Sequence, residues 1–453
     1  MQLLTPSSTG SCLRCRSPTD VYVSPRLAIV AVAAASVTAL APITLLVGLI
    51  VANVLLIGLL LFDIWQAPHP SALGIERFAP SALTTHEVGR VTFRLQNPGN
   101  RSLSVAVRDA TPRSGARTPV VHRNRIGSHG GMLEAQMVPG RRGRLELGPV
   151  TVRVSGPIGL GGRQATLPIV DTVRVYPALP GRSEVELRIE RARMLQSGQR
   201  SSRHRGGGTD FDSLRDYHPD DEFRRINWTA TARAAKPITN LYREDRDQQI
   251  VLLLDAGRTM AGTVAGLSRF EHALDAAIAL AELATRAGDH VGVMAFASGV
   301  EATLSPRGGR DQPRRALELL FDLEPSLDPT DYRGAFGTLL SRHRRRSLLV
   351  LFTDLTEESV MQPLFDALPV LLPRHLLMIG GIVDPEVLAL RSALPGSYED
   401  AYLSAAAAQS LSARNRASAH LRSRGVIVED REPGRLTGAL ADRYLQIKSA
   451  ARL

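Results

Sequence analysis

Residues 27–62 read LAIVAVAAASVTALAPITLLVGLIVANVLLIGLLLF, an apolar run without one charged residue. A single membrane crossing takes about 20 residues for a hydrocarbon core of roughly 30 Å. The run is close to double that, and Pro42 interrupts it near the middle. The pattern predicts two short helices, residues 27–41 and 43–62, folded as a transmembrane helical hairpin over residues 25–65. One span over the second half is the alternative. The run starts too late and is too long for a cleaved signal peptide. Arg14, Arg16 and Arg26 precede it, so the positive-inside rule puts the tail of residues 1–24 in the cytoplasm. A hairpin returns the chain to the same side, which predicts a multi-pass protein of the cell membrane with cytoplasmic soluble domains.

After the run the rhythm changes to alternation. VGRVTFRLQNPGNRSLSVAVRDA alternates apolar and polar residues on both sides of NPGN, a hairpin signature. RRGRLELGPVTVRVSGPIGL repeats the alternation across a Gly-Pro break, and TVRVYP closes it. Short alternating strands at regular spacing predict a small β-sandwich over residues 70–180. Beyond residue 248 the period changes again. QQIVLLLDAG, VGVMAFAS, SLLVLFTDL, HLLMIGGIVD and GVIVED read as buried strands, and RFEHALDAAIALAELATRAG and RLTGALADRYLQIKSAARL as helices among them. Strands alternating with helices predict a mostly parallel sheet covered on both faces over residues 248–453. The expected whole is an α+β multidomain chain, with residues 181–247 linking the sandwich to this doubly wound domain.

Composition changes little in this picture. The 453 residues carry a formal charge of +11, almost all of it from Arg, with Lys236 and Lys448 the only lysines. That skew is discounted as a nucleic-acid signal. Residues 71–180 hold 15 Arg and six acids, which would suit anionic headgroups beside the membrane or simply a solvated surface. The basic run SRHRRRS, residues 341–347, reads as a helix end whose cations suit the dipole. Cys12 and Cys15 form a lone CxxC; a zinc site needs four ligands, and no second pair accompanies it. GGG at residues 206–208 follows no strand and lacks GKS, so no phosphate loop is expected.

In open α/β sheets, ligands bind outside the carboxyl ends of the strands, where the strand order reverses. LLLDAGRTM and VLFTDL end in Asp255 and Asp354. In a 3-2-1-4-5-6 order these strands are neighbours at the switch point, and two acids with nearby hydroxyls suit Mg²⁺. The sequence strand–DxGxT, helix, β-hairpin, Thr330-Asp331, strand–TD resembles a von Willebrand A domain. That resemblance implies a metal-ion-dependent adhesion site, with DxSxS on one loop, a Thr on a second and an Asp on a third. Asp255 and Thr259 match the first element, Thr330 the second and Asp354 the third. Gly257 stands where the first Ser belongs, so one hydroxyl is missing and weak Mg²⁺ binding is the expectation; Arg258 is a competing cation. A capping role for Asp255 through backbone N–H groups is the other reading.

The densest stretch is LRDYHPDDEFRRINWTATAR, residues 214–233. Asp220, Asp221 and Glu222 are consecutive, so their side chains diverge, which suits paired-carboxylate catalysis poorly. From Asp210 to Arg246 there are eight acids and seven bases, too balanced for a grip on phosphates. The favoured reading is a latch crossing a domain junction. Ile226 and Trp228 would pack, and Arg215, Arg224, Arg225 and Arg233 would bridge to acids and carbonyls. Tyr217, Pro219 and Asp221 complete the candidate interdomain or partner-docking motif. With RRG at 141–143, GPIGL at 156–160 and the strand ending DAGRTM, the chain resembles the domain of unknown function 58 family. The resemblance implies a membrane hairpin, a β domain, this motif and a von Willebrand A-like domain, and association with a MoxR-type AAA+ ATPase in assembly or envelope maintenance. The expectation is a membrane-anchored interaction or scaffold protein that is not an enzyme. The alternatives are a metal-dependent hydrolase using the Asp pair and an extracytoplasmic adhesion module, which the topology rule disfavours. No nucleophile elbow or HExxH supports a hydrolase.

Overall fold

The computed structural model describes residues 20–40, 45–109, 122–179, 210–218, 223, 226–243, 248–355 and 358–450. The chain forms two compact units, Met1–Ala178 and Leu179–Leu453. Together they make a mixed α/β protein with several sheets.

The first unit begins with strand β1 (Asp20–Val23), then helices α1 (Arg26–Leu40) and α2 (Leu45–Gln66). The two helices touch: a Cβ on Gly48 would stand 3.5 Å from Thr38 Cβ. At 1.5 Å per residue, α2 is about 33 Å long and α1 about 22 Å. Among the described residues, only α2 is long and apolar enough to cross a membrane. The 15 described residues of α1 match the short helix expected over residues 27–41 and are fewer than a single crossing takes. Pro42 lies outside the described residues. Strand β1 departs from the expectation of a bare tail. It pairs antiparallel with β10, Val23 opposite Gly161.

The β strands that follow are β2 (Gly74–Phe78), β3 (Ala82–Thr84), β4 (Gly89–Gln96), β5 (Leu103–Asp109), β6 (His122–Ile126), β7 (Gly131–Met137), β8 (Gly143–Leu147), β9 (Val150–Ser155), β10 (Gly161–Leu167) and β11 (Asp171–Tyr176). They form sheets β1-β10-β9-β5-β6, β2-β4-β7 and β3-β11-β8. The alternation read in the sequence is the alternation of burial: every second residue of β4, β8 and β9 is buried. Phe93, Val105, Leu133, Leu145, Val152 and Val175 meet in one core fed by all three sheets. The NPGN turn does not close a hairpin, contrary to expectation. Strand β4 pairs with β2 and β7, whereas β5 pairs with β6 and β9. Alternation fixes which face of a strand is buried; it does not choose the strand's neighbour. Asn97 holds the turn, accepting from Gly99 N and donating to the carbonyls of Arg101 and Gly127.

In the second unit, residues 210–243 fold as strand β12 (Asp210–Asp216), helix α3 (Trp228–Ala234) and strand β13 (Ile238–Arg243). The main sheet consists of β14 (Gln249–Asp255), β17 (His290–Phe296), β18 (Val300–Arg307), β19 (Leu348–Phe352), β20 (Leu376–Ile382) and β21 (Ile427–Arg431). The short strands β15 (Thr263–Val264) and β16 (Leu267–Ser268) form a ribbon after β14. The order β18-β17-β14-β19-β20-β21 is, numbered along the sheet's own strands, 3-2-1-4-5-6. All pairs are parallel except β17–β18. Helices α4 (Arg269–Arg286), α5 (Gln312–Leu320), α6 (Tyr332–Arg342), α7 (Glu358–Leu371), α8 (Pro385–Ser392), α9 (Tyr398–Ser423) and α10 (Pro433–Ser449) complete it. Strand β14 shows why the sheet is buried on both sides. Ile250, Leu252 and Leu254 pack with α4 and α10, while Val251 and Leu253 pack with α6, α7 and α9.

Candidate functional site

Asp255 ends the central strand β14 with no exposed surface. One register step beyond the last β14–β19 pair, Leu254 with Phe352, its neighbour is Thr353. Both carboxylate oxygens are filled. Oδ1 accepts from Gly257 N at 2.9 Å and Thr330 Oγ1 at 2.7 Å. Oδ2 accepts from Tyr332 OH and Thr353 Oγ1, each at 2.7 Å. The two hydroxyls also touch each other at 2.9 Å. Both hydroxyl protons point to the carboxylate, so the contact between the two oxygens is carried by their shared acceptor. A hydrogen bond to a charged group contributes on the order of 1.5–3 kcal/mol, which is how this carboxylate is held without solvent. Burial, and then the Asp255 charge, push the Tyr332 phenol well above its ordinary value.

Asp354 follows Thr353 and is almost fully buried. Its partner was invisible in the sequence. Arg414, from the Ala-rich helix α9, donates Nη1 to Asp354 Oδ1 at 2.7 Å and to Leu355 O at 2.8 Å. Its Nη2 donates to Ile382 O and Asp430 Oδ1, and its Nε to Asp430 Oδ2 at 2.6 Å. All five guanidinium N–H groups are thereby used, two of them in a bidentate grip on Asp430. Burial alone would lower the Arg414 pKa, but the Asp430 and Asp354 carboxylates outweigh it and raise it. Arg269 of α4 adds a second cation, 3.4 Å from Asp354 Oδ2.

These contacts correct several expectations. Arg258 is exposed and offers its backbone N to Asp328 O, not its charge to the crevice. The counter-charge comes from Arg414 and Arg269. Thr259 sits in the 3-10 turn Arg258–Ala261, and its hydroxyl is not among the hydrogen-bond partners of Asp255 or Asp354. Thr330, matched as a metal ligand through the resemblance, donates its hydroxyl to Asp255, and Tyr332 two residues on was missed. A Cβ on Gly257 would lie 2.0 Å from Thr330 Oγ1 and 3.1 Å from Asp255 Oδ1. The Thr330 hydroxyl therefore fills the space a serine at 257 would need. Both oxygens of Asp255 and Oδ1 of Asp354 are already engaged by donors, and Asp354 Oδ2 has the Arg269 guanidinium alongside.

The motif at residues 214–233 forms a small structure of its own. Strands β12 and β13 pair antiparallel, Asp216 opposite Ile238. Asn227 caps α3, its Oδ1 accepting from Ala230 N at 3.0 Å, and its Nδ2 donates to Asn240 Oδ1. Thr231 Oγ1 accepts from Ile238 N, Tyr217 N donates to Pro237 O, and Lys236 pairs with Asp216 at 2.9 Å. Ile226 is buried and bridges to Thr239, as expected. Trp228 is not the expected core residue. It is 61% exposed and meets Phe223, 67% exposed, edge-on at 5.6 Å. Arg233 is exposed and Arg215 half-buried. Pro219, Asp221, Arg224 and Arg225 lie outside the described residues, as do Cys12 and Cys15.

The family model described as "Protein of unknown function DUF58" matches residues 213–401. That span takes in the hairpin motif, Asp255, Thr330, Tyr332 and Asp354, and stops before Arg414 and Asp430. Uncharacterized proteins of Mycobacterium tuberculosis and Mycobacterium bovis are each 27% identical over 191 residues. The match covers 41% of this chain and 58% of the length of those relatives. Among solved structures, the conserved hypothetical protein BatB from Bacteroides thetaiotaomicron is similar over 44% of this chain and 98% of its own, at 14% identity and a TM-score of 0.28. The CARDB domain of a Pyrococcus furiosus protein is similar over 23% of this chain and 86% of its own, at 13% identity and a TM-score of 0.16.

Proposed function

We propose that this chain is a membrane-anchored interaction protein whose C-terminal unit is a von Willebrand A-like docking domain that needs no metal. The observation that carries the reading is the internal partnering of the switch-point acids. Asp255 takes four internal donors, and Asp354 is paired with Arg414. A general base needs a lone pair within reach of a substrate proton, and a hard cation needs vacant oxygen ligands. Asp255 meets neither demand, and at Asp354 only Oδ2, 3.4 Å from Arg269 Nε, is left without a hydrogen bond among the described residues, which favours the docking reading over the hydrolase alternative. The 3-2-1-4-5-6 strand order with one antiparallel edge supports the von Willebrand A-like reading.

Anchoring is proposed through α1 and α2 as a helical hairpin, with both soluble units cytoplasmic. Strand β1, before α1, is hydrogen-bonded to β10. Asp63, in the last turn of α2, accepts from Ile158, Leu160 and Gly161 N in the loop leading into β10. Both ends of the apolar segment are thus tied to one β unit, which supports a single side for both. The exposed aromatic pair Phe223 and Trp228 offers anchors for a protein partner. In keeping with the family resemblance, that partner is taken to be a MoxR-type AAA+ ATPase.

The test is purification of the full chain from native membranes in mild detergent. An ATPase should co-purify, remain bound in EDTA and be lost from the Phe223→Ala/Trp228→Ala variant. Recovery of no partner, or turnover of a phosphoester, ester or peptide by the pure chain, would overturn the reading.

A further inference from the structure

Several exposed groups converge where α2 leaves its apolar stretch. Asp63 is fully buried by the loop at residues 156–161. A Cβ on Gly156 would lie 2.3 Å from Asp63 O and Oδ1, so only glycine lets the loop close this tightly. The carboxylate fixes that loop through three backbone N–H groups at 2.7–2.9 Å. Two residues beyond it, Trp65 is 73% exposed, and Ile158 on the clamped loop is 44% exposed. Arg101, from the NPGN turn, donates Nη1 to Gln66 Oε1 at 3.1 Å. Arg26, the first residue of α1, brings Nη1 to within 3.1 Å of where a Cβ on Gly159 would be. Both arginines are exposed. Neither has a carboxylate partner among the described residues.

An exposed Trp at the end of an apolar helix belongs at the level of the headgroups. A guanidinium with donors to spare at that level matches phosphate oxygens. Leu59, Leu61 and Phe62, one turn earlier on α2, are exposed apolar side chains of the kind that meets acyl chains. We propose that Arg26 and Arg101, with Trp65 and Ile158, form a collar that binds the headgroup of an anionic phospholipid and holds the β unit at a fixed height on the membrane. The collar rests on the anchoring reading above. Its rigidity comes from Asp63, which ties the helix end to the loop carrying Ile158.

The test uses the full-length chain with Trp228→Phe, which leaves Trp65 as the one tryptophan of the two in the sequence. In detergent micelles it is titrated with phosphatidylglycerol and, separately, with phosphatidylcholine, while Trp65 emission is followed. Phosphatidylglycerol should shift the emission to shorter wavelength and bind roughly thirtyfold tighter, the effect of two surface arginines acting together. Arg26→Gln/Arg101→Gln should remove that preference. Equal affinity for the two lipids, or a preference undiminished in the double variant, overturns the collar. Carbonate extraction of the wild-type chain from native membranes separates the two levels. A chain released by carbonate sinks the anchoring reading and the collar with it. A chain that stays in the membrane yet shows no preference for phosphatidylglycerol sinks the collar alone.

Discussion

Arg414 donates to Asp354 at 2.7 Å from a helix 60 residues further along the chain. The expected crevice of two repelling acids is therefore a buried ionic network, with its own cation built in. Removing one partner of such a network leaves an uncompensated buried charge. Arg414→Met should cost about 3–5 kcal/mol, measured by denaturant unfolding. Adding Asp354→Asn and Asp430→Asn should recover part of that loss, because the stranded charges are gone. Millimolar Mg²⁺ should leave the wild-type melting temperature unchanged; a rise that Asp354→Ala abolishes would restore the metal reading by mass action.

Gly257→Ser was expected from the sequence to restore a metal ligand. The position of Thr330 Oγ1, 2.0 Å from the new Cβ, predicts the opposite outcome. Overpacking a tight site costs typically about 1–3 kcal/mol. Thr330→Ala should rescue much of it by making room, so the two substitutions should be non-additive in a double-mutant cycle. Additive losses would mean that the serine finds space elsewhere.

How much of this was legible differs by element. QIVLLLD announces itself as a strand buried on both faces, because the five residues between Gln249 and the terminal acid are all apolar, and its burial follows suit. The doubly wound sheet followed from that reading, whereas Thr330 was singled out only through the resemblance, as a metal ligand and not as a donor to Asp255. Arg414 did not follow, because an Arg in AAAAQSLSARNRAS, with Arg416 two residues on, reads as a solvated helix position. Its four partners, Asp354, Leu355, Ile382 and Asp430, are brought to it only by the fold. A usable signal existed in VIVED, another strand reading that ends in acids, left without a role. Asp63 was hidden for a similar reason. One acid at the end of an apolar helix reads as the edge of the membrane, and nothing in GPIGL says that its amides converge on a carboxylate. Trp228 failed in the opposite direction. Aromatic size suggested core, yet Asn227 caps α3 so that the ring faces out.

The hairpin motif separates two predictions that the sequence had merged. Ile226→Ala should destabilise by about 2–4 kcal/mol, since a buried side chain is truncated. Trp228→Ala should cost roughly 0.5–1.5 kcal/mol, the worth of an edge-on aromatic contact at an exposed site, and not the larger sum a core ring would imply. Its effect should instead fall on partner retention in detergent. A Trp228→Ala loss as large as that of Ile226→Ala in thermal unfolding would place the ring back in a core.

Two buried tyrosines set an alkaline limit. Tyr332 and Tyr444 both have raised pKa values, each through burial first and then a neighbouring carboxylate, Asp255 or Asp289. In the unfolded chain tyrosine loses its proton near pH 10. Between that point and the higher folded value the folded state binds more protons, so stability falls as pH rises. It is fully present below about pH 10. Denaturant midpoints taken from pH 9 to 11.5 should show this decline, at about 1.4 kcal/mol per pH unit for each tyrosine. Tyr332→Phe should make the decline shallower by one proton while lowering stability at neutral pH, because Asp255 loses a donor. An unchanged slope would mean that the phenol reaches solvent.

The last prediction concerns which side of the membrane each end of the apolar segment occupies. Strand β1 lies before α1 and pairs with β10, and Asp63 at the end of α2 is held by the loop that opens β10. A chain tied to one β unit at both places cannot leave its N-terminal residues across the bilayer from Ser71. The native Cys12 and Cys15 make this measurable. A Ser71→Cys variant with both native cysteines replaced by serine reports the far end, and the unmodified chain reports the near end. A membrane-impermeant maleimide applied to intact cells should leave both unlabelled, and both should react once the cells are opened. Labelling of one end alone in intact cells would mean that α2 crosses by itself and that β1 is not paired with β10 in the membrane. Asp63→Ala adds an independent arm. It leaves three amides of the clamped loop without their acceptor, at about 1–3 kcal/mol for each buried group left unsatisfied. The β unit should then unfold at a lower temperature, while the sidedness of Ser71→Cys stays as it was, because β1 still ties the near end.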